Sequence, residues 1–364
     1  MKVIKKELCT KKEYRQILNE ISILTKLDHP NVTKIYEFWE DEKRIFMVLD
    51  IVKGEQLMDE IVENGIVSEQ FAQKVISYVL KCVNYLHSQN VVHCGLKPTK
   101  LMMEEGQGVE SIKIIDFGDA QQISDEKPFL TAQFFGEYWY AAPEVLTQNS
   151  NSRKYGFKSD MWSVGVIAHV LLAGIPPFCG ADDNEIQRNV EKRPLSFNNA
   201  LWKSISPEGV DFIGRCLAKD EKQRLSAREA LRHPWIQGVN KDDQDENMRG
   251  KAATSALTNM ANFKANNRLK QATLAFIAGQ LLTTDERAET DKVFRAMDVN
   301  GTGILGKKEL KEGYVNYYGT EMSDQEIDKM FDAVDTDGSG EIEYSEFVVA
   351  TLGEAVLFTP KRLQ

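Results

Sequence analysis

The chain has 364 residues, 42% hydrophobic and 9% aromatic, an ordinary globular composition with length for two or three domains. Its net charge of −10 disfavours nonspecific nucleic-acid binding, and the scattered Cys9, Cys82, Cys94, Cys179 and Cys216 offer neither a disulfide frame nor a zinc site. No run approaches the roughly 18 apolar residues of a membrane span, and the first residues form neither a secretory signal nor an acylation site, so the expectation is a cytoplasmic protein with no nucleic-acid or membrane partner.

In chain order, the first clear element is an amphipathic helix that places Ile17, Glu20, Ile21 and Leu24 on one face. Arg44 to Asp50 reads as a strand. Three short signatures follow: Val92-His93-Cys94-Gly95-Leu96-Lys97-Pro98, then Ile115-Asp116-Phe117-Gly118, then Ala142-Pro143-Glu144. In this order and at these separations they resemble the catalytic loop, the Mg²⁺-binding Asp-Phe-Gly and the end of the activation segment of a protein kinase.

That resemblance assigns roles to single positions. Met1-Lys2-Val3-Ile4-Lys5-Lys6 resembles a kinase third strand, which makes Lys2 the phosphate-gripping lysine and Glu20 its helix partner. The two strands and Gly-rich loop expected before it are missing, so the chain reads as starting within the small lobe. Leu49 falls at the gatekeeper, Asp50 and Val52 fall in the hinge, and Met102 joins them as a candidate nucleotide-lining residue. Gln56 stands where a substrate-facing Glu is expected. Gly95 replaces the general base, Cys94 the Arg that clamps a phosphorylated activation loop, Lys100 the Asn that holds a second Mg²⁺, and Glu137 the Thr that supports the base. Lys97 and Asp116 are retained, leaving room for weak binding of ATP and Mg²⁺. Fold positions are also retained: Asp160 matches the anchor of the catalytic loop, Glu144 and Arg224 match the buried ion pair of the large lobe, and Leu24, Ile35, His93 and Phe117 match an apolar spine.

The last third carries two 12-residue loops. Asp298, Asn300, Thr302 and Glu309 occupy positions one, three, five and twelve of the first, with Gly303 at six and the Ile304 carbonyl at seven. Asp335, Asp337, Ser339 and Glu346 repeat the scheme, with Gly340 at six, the Glu341 carbonyl at seven and Glu343 at nine. A loop of this spacing wraps oxygens around a hard cation and closes with a bidentate Glu, so Ca²⁺ binding is expected, tighter in the second loop, which has more carboxylates. Leu305 and Ile342, at position eight, should join the loops in a short strand pair.

A kinase domain followed by calcium hands resembles the calcium-dependent protein kinases of plants, ciliates and apicomplexans. The resemblance implies an α+β, bilobal protein-kinase-like fold with an incomplete small lobe over 1–236, a linker and amphipathic junction helix over 237–282, an all-α EF-hand pair over 283–354 and a tail over 355–364. Ser255 to Lys264 and Arg268 to Ile277 resemble the family's junction, a basic amphipathic segment that hands seize on binding calcium, so an intramolecular contact between junction helix and hands is expected. The leading functional reading is a calcium-responsive pseudokinase acting as a binding module for an unknown protein partner. The alternatives are an active Ser/Thr kinase using a substitute carboxylate, Asp119 or Glu137, and a fragment of a longer gene product.

Overall fold

The structure is a computed structural model that describes residues 1–65, 67–124, 137–146, 155–198, 200–242, 251–263, 282, 284–318 and 322–352. The chain divides into two compact units, residues 1–27 with 31–241 and residues 28–30 with 242–364.

In the first unit, β1 (Lys2–Lys5) opens a three-stranded antiparallel sheet. Helix α1 (Lys11–Leu24) follows, started by a capping box in which the Thr10 hydroxyl accepts from Glu13 N–H while the Glu13 carboxylate accepts from Thr10 N–H. β2 (Ile35–Glu40) and β3 (Arg44–Leu49) complete the sheet in the order β1-β3-β2, with Lys2 opposite Met47. The apolar face of α1 buries Ile21, Ile23 and Leu24 and carries Glu20 into the interior with them.

Next, β4 (Gly54–Gln56) leads into α2 (Leu57–Asn64) and α3 (Glu69–Ser88). A two-residue strand β5 (Val91–Val92) precedes residues 93–100, and β6 (Leu101–Glu104) and β7 (Lys113–Ile114) follow them. β4, β6 and β7 form one sheet, while β5 pairs with β8 (Gln121–Gln122). The pairing of Val92 with Gln121 brings two segments together, because residues 93–100 leave one strand and 115–120 enter the other. α4 (Pro143–Leu146) contains Glu144, and α5 (Phe157–Ala173) is buried from Ser159 to Ala173, as expected of a helix that is apolar all round. Gly165 lets it approach Cys216, whose Cβ would lie 2.7 Å from a side chain added there. The five cysteines are all free, and among the described residues no helix is long and apolar enough to cross a membrane.

In the second unit, β9 (Ile304–Leu305) and β10 (Ile342–Glu343) pair antiparallel with Leu305 opposite Ile342, the pairing the loop positions foretold. Four helices flank the loops: Thr284–Met297, Lys307–Tyr318, Asp324–Val334 and Tyr344–Leu352. A fifth, Lys251–Asn262, shares their core. Its Leu257 and Met260 are fully buried, and Phe263 just beyond it is nearly so, in one cluster with Phe294, Phe331 and Phe347. Asn259 Nδ2 donates to the Thr351 carbonyl at 2.6 Å. The junction segment Ser255 to Phe263 therefore lies against the hands, whereas Lys264, the Arg268 to Ile277 stretch and the tail over 355–364 fall outside the described residues.

Candidate functional sites

The cleft of the first unit is built on a retained scaffold. Buried Asp160, on α5, accepts from the backbone N–H of His93 at 2.9 Å and of Cys94 at 3.0 Å, and its Oδ2 lies 3.0 Å from His87 Nε2. These bonds hold Cys94 at φ +61°, a left-handed conformation that a non-glycine residue adopts only when its surroundings impose it. Burial, followed by the nearby Asp160, pushes the Cys94 thiol well above its ordinary range, so it is not poised as a nucleophile.

His93 is fully buried and packs on Phe117 with ring centroids 5.0 Å apart. Leu24 and Ile35 are also buried, as the spine reading requires. Gly95 N–H donates to His93 Nδ1 at 3.3 Å, which leaves the proton on Nε2, an atom with no hydrogen-bond partner among the described residues. Burial, then the charge of Lys100, lowers the His93 pKa from 6.5 to about 4. An unfolded chain takes up this proton near pH 6.5 and the folded one only near pH 4. Stability of the unit should therefore fall as pH drops through that window, by about 3 kcal/mol in total. Unfolding midpoints followed between pH 7 and 4 check this; His93→Phe should flatten the dependence, and an unchanged slope would count against it.

The chemistry-bearing side chains are paired. Lys2 Nζ lies 3.1 Å from Glu20 Oε2, as the kinase resemblance leads one to expect. Lys97 Nζ lies 2.6 Å from Glu137 Oε1, and Lys100 Nζ lies 3.2 Å from Asp116 Oδ2 and 3.3 Å from Asp119 Oδ2. Burial opposes ionisation of Asp116, but Lys100 and the Gly118 N–H outweigh it and hold the carboxyl below its usual range. Leu49, Val52 and Met102 are half-buried. Asp50 is held by Lys113 Nζ at 3.1 Å and the Tyr36 hydroxyl at 3.2 Å. Asp119 and Glu137, the two substitute carboxylates, are thus each committed to a lysine.

The two calcium loops are preshaped. In the first, Asp298 accepts from Thr302 N–H at 2.9 Å and Gly303 N–H at 2.8 Å, Asn300 Oδ1 accepts from Thr302 N–H at 2.9 Å, and Glu309 folds back over Asn300 N–H and Gly306 N–H. The Thr302 hydroxyl donates to the Ile304 carbonyl at 3.2 Å. In the second, Asp335 accepts from the N–H groups of Gly338, Ser339 and Gly340, Asp337 from Ser339 N–H, and Glu346 from Thr336 and Glu343. Ser339 Oγ donates to the Glu341 carbonyl at 2.9 Å. Gly303 and Gly340 take φ +74° and +83°, the sharp turn at position six. One carboxylate oxygen from each of Asp335, Asp337 and Glu346 lies within 4.8 Å of the others. Oxygens converging on one point, carried by a loop of this shape, suit a hard divalent cation, and the donor set fits Ca²⁺.

Sequence reading missed one contact between the hands. The Tyr344 hydroxyl donates to Asp291, which also meets Arg295 at 3.5 Å, and the Tyr344 ring stands edge-on to Phe294 at 5.2 Å. Position ten of the second loop is thus bonded to the helix that enters the first. Neither residue belongs to a ligand pattern, so no spacing signal marked them.

Residues 1–236 match the protein kinase domain family and residues 290–351 match the EF-hand domain pair. Across its whole length the chain is 35% identical to calcium-dependent protein kinase 4 of Plasmodium berghei, spanning 70% of that protein. Over 96% of its length it is 36% identical to calcium-dependent protein kinase 3 of Plasmodium yoelii yoelii and 31% identical to calcium-dependent protein kinase 17 of Arabidopsis thaliana, spanning 62% and 64% of them. With both domains matched in the same order as the paired cleft and the calcium loops, the chain belongs to the calcium-dependent protein kinase family.

Proposed function

We propose that the kinase unit transfers no phosphate at a useful rate and that the protein works as a calcium-responsive binding module. The observation that carries this reading is the state of the cleft: Gly95 supplies no base, and both carboxylates able to replace it are paired with lysines, Asp119 with Lys100 and Glu137 with Lys97. Loss of a general base alone costs about 10²–10⁴ in rate, and the losses of the second metal ligand and the base-supporting Thr act on separate parts of the mechanism. Lys2, Glu20, Leu49, Asp50, Val52 and Met102 would line whatever nucleotide site remains.

A γ-phosphate transfer assay with saturating Ca²⁺ and a basic peptide tests this. Wild type should match the Asp116→Ala background. Turnover well above that background would replace the reading with an active Ser/Thr kinase.

Calcium is the input. Asp298, Asn300, Thr302, Glu309 and the Ile304 carbonyl would hold one ion, and Asp335, Asp337, Ser339, Glu346 and the Glu341 carbonyl the other. The helix Lys251–Asn262 shares the hands' core, so reorganisation of that core on binding Ca²⁺ would alter the junction segment leading back to the kinase unit. In calorimetric titration, Glu346→Gln should remove the tighter event and Glu309→Gln the weaker one, with wild-type affinities of about 10⁻⁷–10⁻⁵ M if the loops serve as sensors. Identical isotherms for the three proteins would refute the assignment.

A further inference from the structure

We propose that Lys100 is a tethered replacement for the divalent cation at Asp116, and that Gly95 is the residue that makes room for it. The inference rests on the non-catalytic reading above and says what the altered cleft has become.

The two substitutions meet in space. A Cβ added to Gly95 would lie 3.0 Å from Lys100 Nζ and 3.1 Å from Asp119 Oδ2, both closer than an ordinary van der Waals contact. Any side chain at 95, including an aspartate, crowds the ion pair. Neither end of that pair can easily retreat. Lys100 is only 6% exposed, and Asp119 is held from the other side by Gln16 Nε2 at 3.4 Å from Oδ1. The adjoining backbone is fixed where Asn19 Nδ2 donates to the Ala120 carbonyl at 2.6 Å. Helix α1 thus braces the segment that presents both carboxylates to Lys100.

A divalent metal does not fit this arrangement. Mg²⁺ binds carboxylate oxygens at about 2.0–2.1 Å and keeps near-ideal octahedral geometry. At Asp116, Oδ1 already accepts from Gly118 N–H at 3.2 Å and Oδ2 lies 3.2 Å from the Lys100 ammonium, so a metal would have to compete with that cation for the carboxylate. A lysine supplies three donors and one charge without metal dehydration. Once it is buried between Asp116 and Asp119, displacing it would leave its charge unpaired in the interior, which proteins do not tolerate cheaply. The position that family kinases give to a metal is filled here by the chain itself.

The test counts Mn²⁺ by electron paramagnetic resonance, with ADP present and the hands saturated with Ca²⁺, on the full chain. Each protein is compared with its own Asp116→Ala version, so that ions held elsewhere subtract out. Wild type should show no Asp116-dependent Mn²⁺, and K100N or K100Q should gain one equivalent. An Asp116-dependent ion in wild type overturns the proposal, and so does its failure to appear in both variants. A thermal double-mutant cycle checks the coupling: Gly95→Ala should lower the unfolding midpoint in wild type and leave it nearly unchanged in K100N. Equal shifts in the two backgrounds would show that Gly95 and Lys100 are independent. Neither readout measures phosphate transfer, so a metal-binding but inactive cleft would overturn this inference and leave the proposed function standing.

Discussion

Replacing Arg224 by Met is expected to destabilise the kinase unit by about 3–5 kcal/mol, the usual consequence of removing one partner of a buried ion pair. The guanidinium is fully buried and bidentate to Glu144, at 2.7 and 3.0 Å. It also donates to the carbonyls of Ala218 at 3.1 Å and Lys158 at 2.6 Å, and lies over the Trp162 ring at 5.1 Å. Arg224→Met would leave a largely buried carboxylate and two carbonyls without their donor. Lysine does not rescue such a site, since it lacks the planar fork that serves two oxygens at once. Removing both charges, in Arg224→Met with Glu144→Leu, should cost less than Arg224→Met alone, because no uncompensated charge remains. All five tryptophans, Trp39, Trp139, Trp162, Trp202 and Trp235, precede residue 241, so their fluorescence in a denaturant series reports the kinase unit without interference from the hands. A loss below 1 kcal/mol would show that the pair contributes little.

The calcium loops were legible in the sequence because they depend on residue type at fixed spacing, whereas that pair and the Asp160 anchor were reached only through the resemblance to protein kinases. Oxygen side chains at alternating loop positions with Gly at six leave few other uses for the segment, and the folded loops show those atoms turned inward. Lys2 with Glu20 was likewise expected from the resemblance, and the structure shows an exposed lysine reaching a glutamate buried on the apolar face of the helix. Partner choice inside the cleft was not legible. Sequence separation says nothing about which of Asp116, Asp119 and Glu137 a lysine will reach, and Lys100 meets two of them only because the pairing of Val92 with Gln121 sets the 93–100 and 115–120 segments side by side. The Tyr344 to Asp291 bond was hidden likewise, since it spans two hands and uses no ligand position. For Leu257, Met260 and Phe263 the family resemblance led to the expectation of a contact between junction helix and hands, and the fold adds which residues of the hands' core they join.

Replacing Asp160 by Ala should cost the kinase unit about 3–5 kcal/mol, since two backbone donors and a histidine lose a buried acceptor worth about 1–3 kcal/mol each. Its carboxylate is 1% exposed, and its three contacts, with His93 N–H, Cys94 N–H and His87 Nε2, all end on the segment or helix that presents the catalytic loop. Without it, Cys94 has no reason to remain at φ +61°, and relaxation there would carry Gly95 and Lys97 with it. Asp160→Asn is the informative contrast. It preserves volume and one acceptor but turns a donor toward one of the bonded groups, so it should fall between wild type and Asp160→Ala. Amide hydrogen exchange reads the local effect directly: protection at His93 and Cys94 should drop in both variants, and more in Asp160→Ala. Undiminished protection at those two amides would mean that β5 and its neighbours, not Asp160, hold the loop.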